Sequence, residues 1–355
     1  MYIFIRKKID FGTMFLTICL ILSTIRVTTN YHVSSDNNYE FHSDKLIEYI
    51  NQNSLSGWKA VEYNRFKLPI HKLLNSFNLY FDDPNGYFQK APLVSHDTIK
   101  TDMPKSFDSR KQWRHCKTMQ IITDESRCMS SYALVAAQVI TDRVCIATNG
   151  NSPQISALDI LSCCSYCGKG CNGGYYISPW DYWMKSGVVS GALNKSSGGC
   201  KPYPYPKCQH YVRGRKYPSC GETIYKIPKC EEKCQSKYKK KYEDDKKYGR
   251  NYYRVDSKES AIQTEIMLNG PVEAGISVYT DFLYYKSGVY KHMKGELLGY
   301  KAVRIIGWGV EHNTAYWLCS NSWNEDWGEA GYFRILRGKN ESGIEGFILA
   351  GIPST

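Results

Sequence analysis

Cysteine is missing from the front of this 355-residue chain: none occurs between residues 31 and 77, so no disulfide can staple that stretch. Long apolar runs are missing from most of the rest. Beyond residue 25 no segment is apolar enough to cross a bilayer, which excludes further membrane-spanning helices. There is no internal repeat. Acidic residues are outnumbered, 34 Asp and Glu against 46 Lys and Arg, and the resulting +12 charge permits acidic partners without saying anything about fold. An apolar share of 42% and an aromatic share of 14% suffice for a sizeable core. The length suits one large domain with an appended segment, or two domains.

At the N-terminus, Arg6, Lys7 and Lys8 precede a mostly apolar run from Phe11 to Ile25. The run is short for a bilayer span, so residues 1–25 read as a cleaved secretory signal, with an uncleaved anchor as the other reading. No A-x-A site marks the cut. Of 14 cysteines, Cys19 falls in this signal and 13 lie between Cys116 and Cys319. That density, with the run Cys163-Cys164-x-x-Cys167-x-x-x-Cys171, points to a disulfide framework made in an oxidising compartment. Zinc is the competing reading of such spacings, but the ordered histidines of a zinc site are absent. An odd count leaves one thiol over. Cys319, inside Ala315-Tyr-Trp-Leu, reads as a small buried hydrophobe.

The organisation changes near residue 100. Ser43 to Asn51 carries Leu46, Ile47 and Ile50 on one helical face. A connector with Pro84, Gly86 and Pro92 follows, and the cysteine-rich body begins at Met103. A small disulfide-free helical region ahead of a stapled body reads as a removable pro-segment, 26–102, or as a permanent small domain. Within the body, Ser131 to Ile146 has apolar residues at helical spacing and no glycine or proline. A second helix is expected from an Asp256 cap, with Glu259 completing a capping box, to Asn269. Strands are expected at Gly275–Tyr279, Ala302–Gly307, Ala315–Cys319 and Gly331–Leu336. The class is α+β, a helical half followed by a β half. The Lys/Tyr/Asp-rich tract from Lys237 to Lys247 reads as a solvated connection, or as an anion-binding patch.

Several motifs carry a resemblance. Phe107-Asp-Ser-Arg-Lys-Gln-Trp113, Gly170-Cys-Asn-Gly-Gly174, Asn321-Ser-Trp323, Gly343-Ile-Glu345 and Ala350-Gly-Ile-Pro353 occur in order. Together they resemble the papain-like cysteine peptidases and, among them, cathepsin B. The resemblance implies a two-lobed fold: a helical left lobe, a β-barrel-like right lobe, and a cleft between them, preceded by the pro-segment. It places the peptidase domain at 103–355. From Ser131 to Lys301 is 170 residues, longer than the about 130–150 usual for the spacing. An insert near 208–220, where cathepsin B carries its occluding loop, would supply the excess.

The same resemblance implies a dismantled catalytic centre. The family's nucleophile is a thiolate at a helix N-terminus paired with histidine. Ser131 stands in the thiol position, within Cys128-Met-Ser-Ser-Tyr132, and Lys301 in the histidine position. An ordinary lysine, with a pKa of about 10.4, is protonated and cannot accept a proton. Glu125 replaces the glutamine that donates to the oxyanion, and a free carboxylate there would repel the developing charge. Asn321 and Trp323 are kept. Gly173 and Gly174 match the cleft wall, whereas Met129 and Tyr300 replace glycines and should crowd the substrate's approach. Tyr132 replaces a tryptophan. Phe347, at the expected floor of the S2 pocket, implies an apolar preference or plain core packing. Only one occluding-loop histidine remains, His210, which reads as a structural hydrogen-bonding residue or as a carboxylate anchor.

The family's disulfide pattern implies the pairs Cys116–Cys145, Cys128–Cys171, Cys163–Cys230, Cys164–Cys167, Cys200–Cys234 and Cys208–Cys220. Asn194-Lys-Ser and Asn340-Glu-Ser are glycosylation acceptors. The expectation is a secreted or lysosome-like pseudoenzyme with no cofactor and no metal. It would be a monomer without nucleic-acid partners, off the membrane once its signal is removed. Its cleft would bind peptides, protein protease inhibitors or its own pro-segment. The alternative is a hydrolase with residual or Ser131–Lys301 dyad activity; the dyad needs a neutral Lys301, whereas Lys301 is expected to pair with Glu125 or another cleft acceptor rather than approach Ser131.

Overall fold

The computed structural model describes residues 43–53, 55–61, 77–99, 102–150, 153–193, 198–210, 216–221 and 223–354. The expected signal, the acceptor Asn194 and the Ser43 side chain lie outside the described residues. None of the described helices is long and apolar enough to cross a membrane.

The longer helices are α1 (Ser43–Gln52), α2 (Ser131–Ala147), α3 (Ala157–Cys163), α4 (Ser178–Lys185) and α5 (Glu259–Asn269). Helix α2 is buried all round from Ser131 to Cys145, as its run of Ala, Val and Ile at every face requires. It forms the centre of a first apolar cluster with α3, α4 and Tyr176, Trp180 and Trp183. A second cluster lies in the sheet around Val303, Ile305, Trp317, Trp327 and Phe333. Two cores give the two expected lobes. Buried ion pairs tie α2 to the β lobe: Asp142 accepts from the Arg304 guanidinium at 2.6 Å, and Arg143 donates to Glu265 at 2.8 Å.

The sheet is built from β1 (Trp58–Ala60), β2 (Phe77–Tyr80), β3 (Leu93–Val94), β4 (Phe107–Asp108), β5 (Gly174–Tyr175), β6 (Gly249–Val255) and β7 (Val272–Tyr279). It continues through β8 (Tyr285–Tyr290), β9 (Leu297–Glu311), β10 (Thr314–Ser320), β11 (Tyr332–Leu336) and β12 (Ile348–Pro353). Its main path runs β1-β8-β11-β10-β9-β7-β12-β6-β3. Both end strands therefore belong to the N-terminal segment. The four expected strands are there: β7, β9 and β10 outrun their apolar runs, β9 reaching 15 residues through the ladder with β7 and β10, while β11 begins one residue later than expected, at Tyr332. Helix α5 ends at Asn269 as expected, but it begins at Glu259 with Lys258 rather than Asp256 at the N-cap, and its capping box is absent. The Asp256 carboxylate accepts from the Lys258 N–H, and Glu259 pairs with Arg337 instead of reaching back.

Candidate active-site cleft

Ser131 opens α2, and its hydroxyl oxygen accepts from the backbone N–H of Ala302 at 3.3 Å. That N–H lies on β9, one residue beyond Lys301, so helix and strand meet at the positions the resemblance marks. Lys301 itself turns elsewhere. Its side chain is 1% exposed; Nζ contacts the Glu125 carboxylate, donates to Ser322 Oγ at 2.8 Å and lies 5.0 Å over the Trp323 ring. Trp323 Nε1 donates to the same Glu125 oxygen at 2.8 Å. Burial pushes the Lys301 ammonium below the ordinary lysine range, and the Glu125 carboxylate opposes that shift. Glu125 thus meets a cation and an indole, and Lys301 pairs with it as expected rather than approaching Ser131. Asn321 Oδ1 accepts from the Ser322 N–H, while its buried Nδ2 has no partner.

The loop before α2 is fixed from several sides. Cys128 is bonded to Cys171, the Met129 N–H donates to the Cys171 carbonyl, and Ser130 Oγ lies 2.9 Å from Tyr203 OH. Tyr132 packs within the helical lobe and donates to the Gly170 carbonyl at 3.3 Å. Phe347 and Tyr300 point to a shared aromatic cluster, whose centre is a residue the sequence reading passed over. Phe81 stacks on Phe347 with centroids 4.0 Å apart and meets Tyr300 and Tyr176 edge-on at 5.5 Å each. Tyr300 is 39% exposed.

Phe81 arrives on the N-terminal segment. Strand β2 runs between the lobes, pairing in parallel with β9 at Gly299 and Tyr300 and with β5 at Gly174 and Tyr175. The wall glycines are needed for this approach: a Cβ at Gly173 would lie 2.2 Å from the Asn78 carbonyl oxygen, and one at Gly299 would lie 2.3 Å from that of Phe77. The alternation in Phe77-Asn-Leu-Tyr-Phe81 was the sequence signal for this strand.

At the other end of the cleft, the insert is fastened down. His210 Nε2 lies 2.5 Å from Asp124 Oδ1, and Asp124 also accepts from the Cys208 N–H and from Asn324. Burial disfavours the Asp124 charge, yet His210 and these donors hold its carboxyl below the usual range. Lys207, Lys216 and Tyr217 converge on Glu325, each at 2.5 Å. Cys208, His210 and Cys220 are the one trio of metal-ligating atoms grouped among the described residues. Cys208 and Cys220 are disulfide-bonded to each other, so that trio offers no pair of thiolates.

The remaining disulfides are Cys116–Cys145, Cys163–Cys230, Cys164–Cys167 and Cys200–Cys234, and Cys319 is free and buried. Asn340 is exposed, with its side-chain oxygen accepting from the Glu345 N–H at 2.9 Å.

Residues 103–352 match the family described as papain family cysteine protease. A cathepsin B-like cysteine proteinase of Schistosoma japonicum is 47% identical over 328 residues, covering 91% of this chain and 95% of that protein. Cathepsin B-like cysteine proteinase 6 of Caenorhabditis elegans is 42% identical over 322 residues, covering 88% and 84%. Among solved structures, a procathepsin B of Trypanosoma congolense superposes with a TM-score of 0.74 at 35% identity, over 88% of this chain and 99% of that one. The fold and these relatives agree, and the chain belongs to the papain family of cysteine proteases, on its cathepsin B-like branch.

Proposed function

We propose that this chain is a non-catalytic cathepsin B-like protein that keeps the family's cleft and has lost its reaction. The observation that carries this is the Lys301 ammonium, spent on Glu125 and Ser322 rather than offered as a free amine to Ser131. A serine hydroxyl needs a base at the moment of attack, and a lysine bound to a carboxylate is a poor one. On this reading the chain carries a signal at 1–25, a pro-segment at 26–102 and a peptidase-like domain at 103–355. It is a cofactor-free monomer, secreted or delivered to a lysosome-like compartment, and glycosylated at Asn194 and Asn340. Its action is binding: the groove at Gly173, Gly174 and Phe347 accepts peptide or protein-inhibitor segments when residues 77–81 are not in it.

A second reading, hydrolysis by a Ser131–Lys301 dyad, draws support from the burial that lowers the Lys301 pKa. Turnover of fluorogenic peptides by the purified chain, with and without the N-terminal segment, separates the two. No turnover is expected from either form. Activity abolished by Ser131→Ala would establish the dyad and sink the non-catalytic reading. The triple variant Ser131→Cys, Lys301→His, Glu125→Gln is expected to gain turnover only after the segment is removed.

A further inference from the structure

Six disulfides staple the body, and Cys163–Cys230 differs from the others at both of its ends. Of the bonded cysteines, Cys230 alone is exposed; the rest are buried or half-buried. Its partner Cys163 closes α3, and there the buried Lys201 ammonium donates to Cys163 Sγ at 3.0 Å. The same ammonium donates to Asp159 Oδ1 at 3.1 Å and lies 4.9 Å over the Tyr242 ring. Asp159 also accepts from Tyr242 OH at 2.8 Å and from the Val189 N–H at 3.3 Å. The carboxylate thus shares its charge among three donors, and the lysine keeps a proton for the sulfur.

We propose that Cys163–Cys230 is a thiol-exchange site, which low-molecular-weight thiols open ahead of the other disulfides by attacking Cys230 and expelling Cys163. The proposal goes beyond the non-catalytic reading and does not depend on it. Exchange needs an attacked sulfur that the thiolate can reach and a departing sulfur that carries charge well. Exposure supplies the first at Cys230. The Lys201 ammonium supplies the second, because a cation beside a sulfur favours its thiolate. With a dithiol, the first thiolate bonds to Cys230 Sγ as the S–S bond breaks, and the electron pair stays on Cys163 Sγ beside Lys201. The second thiolate then displaces Cys230 as a thiolate and closes a cyclic disulfide. The protein disulfide gains the two electrons that the dithiol loses, and the dithiol's protons pass to solvent.

Opening unfastens one end of the stretch that backs the cleft wall. The Tyr225 N–H donates to the Arg127 carbonyl at 3.0 Å, and Tyr225 stacks on Tyr205 with centroids 4.5 Å apart. Ile227 lies against the wall itself, where a Cβ at Gly170 would come 2.4 Å from its Cδ1. Further along, Cys234 stays bonded to Cys200, so the loosened length ends there.

The test treats the folded full chain with dithiothreitol at neutral pH, traps free thiols with N-ethylmaleimide at intervals, and maps them by mass spectrometry. Cys163 and Cys230 should take the label before any other pair. Lys201→Met should slow their opening by roughly 3–10-fold, because the departing sulfur loses its cation. The double variant Lys201→Met, Asp159→Asn leaves no buried charge behind and should be slowed alike, which keeps the test available if the single variant folds poorly. Melting curves of the oxidised proteins are the folding control. Another pair opening first overturns the proposal. So does a double variant that opens as fast as the unsubstituted protein or faster, the result expected if Lys201 only supports packing. Amide exchange over residues 224–229 should quicken once the pair is open, and unchanged exchange overturns the link to the cleft wall.

Discussion

At the scale of single residues, the site is governed by one buried cation and the carboxylate that answers it. Lys301 and Glu125 are almost fully buried, and removing one partner strands the other's charge. Lys301→Met should therefore cost about 3–5 kcal/mol of stability. The double variant Lys301→Met, Glu125→Leu should recover most of that loss, because a well-packed apolar pair is often as stable as a buried ion pair. Urea unfolding of the two variants at neutral pH checks this. Equal destabilisation of both would mean that the pair contributes through packing rather than charge. The residue types at 125, 131 and 301 were legible in the chain. The resemblance also predicted that Lys301 would pair with Glu125 or another cleft acceptor, and the docked helix and strand bring Glu125 to it across 176 positions; its second acceptor, Ser322, was not legible.

At the scale of elements, α2 and β2 illustrate opposite degrees of legibility. Helix α2 follows from its own sequence, with apolar residues on every face and no breaker. Strand β2 is four residues long and has no stability of its own; it exists because β5 and β9 offer it peptide groups on both sides. Its hold comes from side chains it buries, Phe77 and Leu79, and from Phe81 stacked on Phe347. Truncating a packed aromatic costs about 3–5 kcal/mol when the site cannot collapse. Phe81→Ala should therefore raise proteolysis of the 77–99 stretch markedly under native conditions, while the body resists as before. Limited digestion followed by mass spectrometry reports this, and protection unchanged from the unsubstituted chain would remove Phe81 as the anchor. Strands β6, β8 and β12 escaped the sequence reading because their pairing partners, not their alternation, define them.

At the scale of the whole molecule, Glu265 joins the parts. It receives Arg143 from the helical lobe, Tyr253 from the sheet and His96 from the N-terminal segment. Burial works against its charge, but Arg143, His96 and Tyr253 more than offset this and bring its carboxyl down from 4.5 to about 2. A depressed carboxyl contributes stability that is present above the unfolded value and is lost as pH falls toward the folded one. The protein should therefore lose this contribution between about pH 4.5 and pH 2. Melting temperatures of the unsubstituted protein and Glu265→Gln, followed by circular dichroism, should differ most above pH 5 and converge near pH 2. A constant difference across that range would deny the carboxylate its electrostatic role.

The sequence alone determined which chemistry could be present: a hydroxyl at 131, an ammonium at 301 and a carboxylate at 125. It also bounded the disulfide-free front and the cysteine-rich body, because these are properties of residue type and order. Tertiary structure decided what each of those groups touches. It set Lys301 between Glu125 and Ser322, left the Asn321 Nδ2 without a partner, bonded the cysteines, and laid residues 77–81 in the groove. Side-chain chemistry is local, whereas partners are chosen by contacts between segments more than a hundred residues apart, which only a packed chain brings within reach.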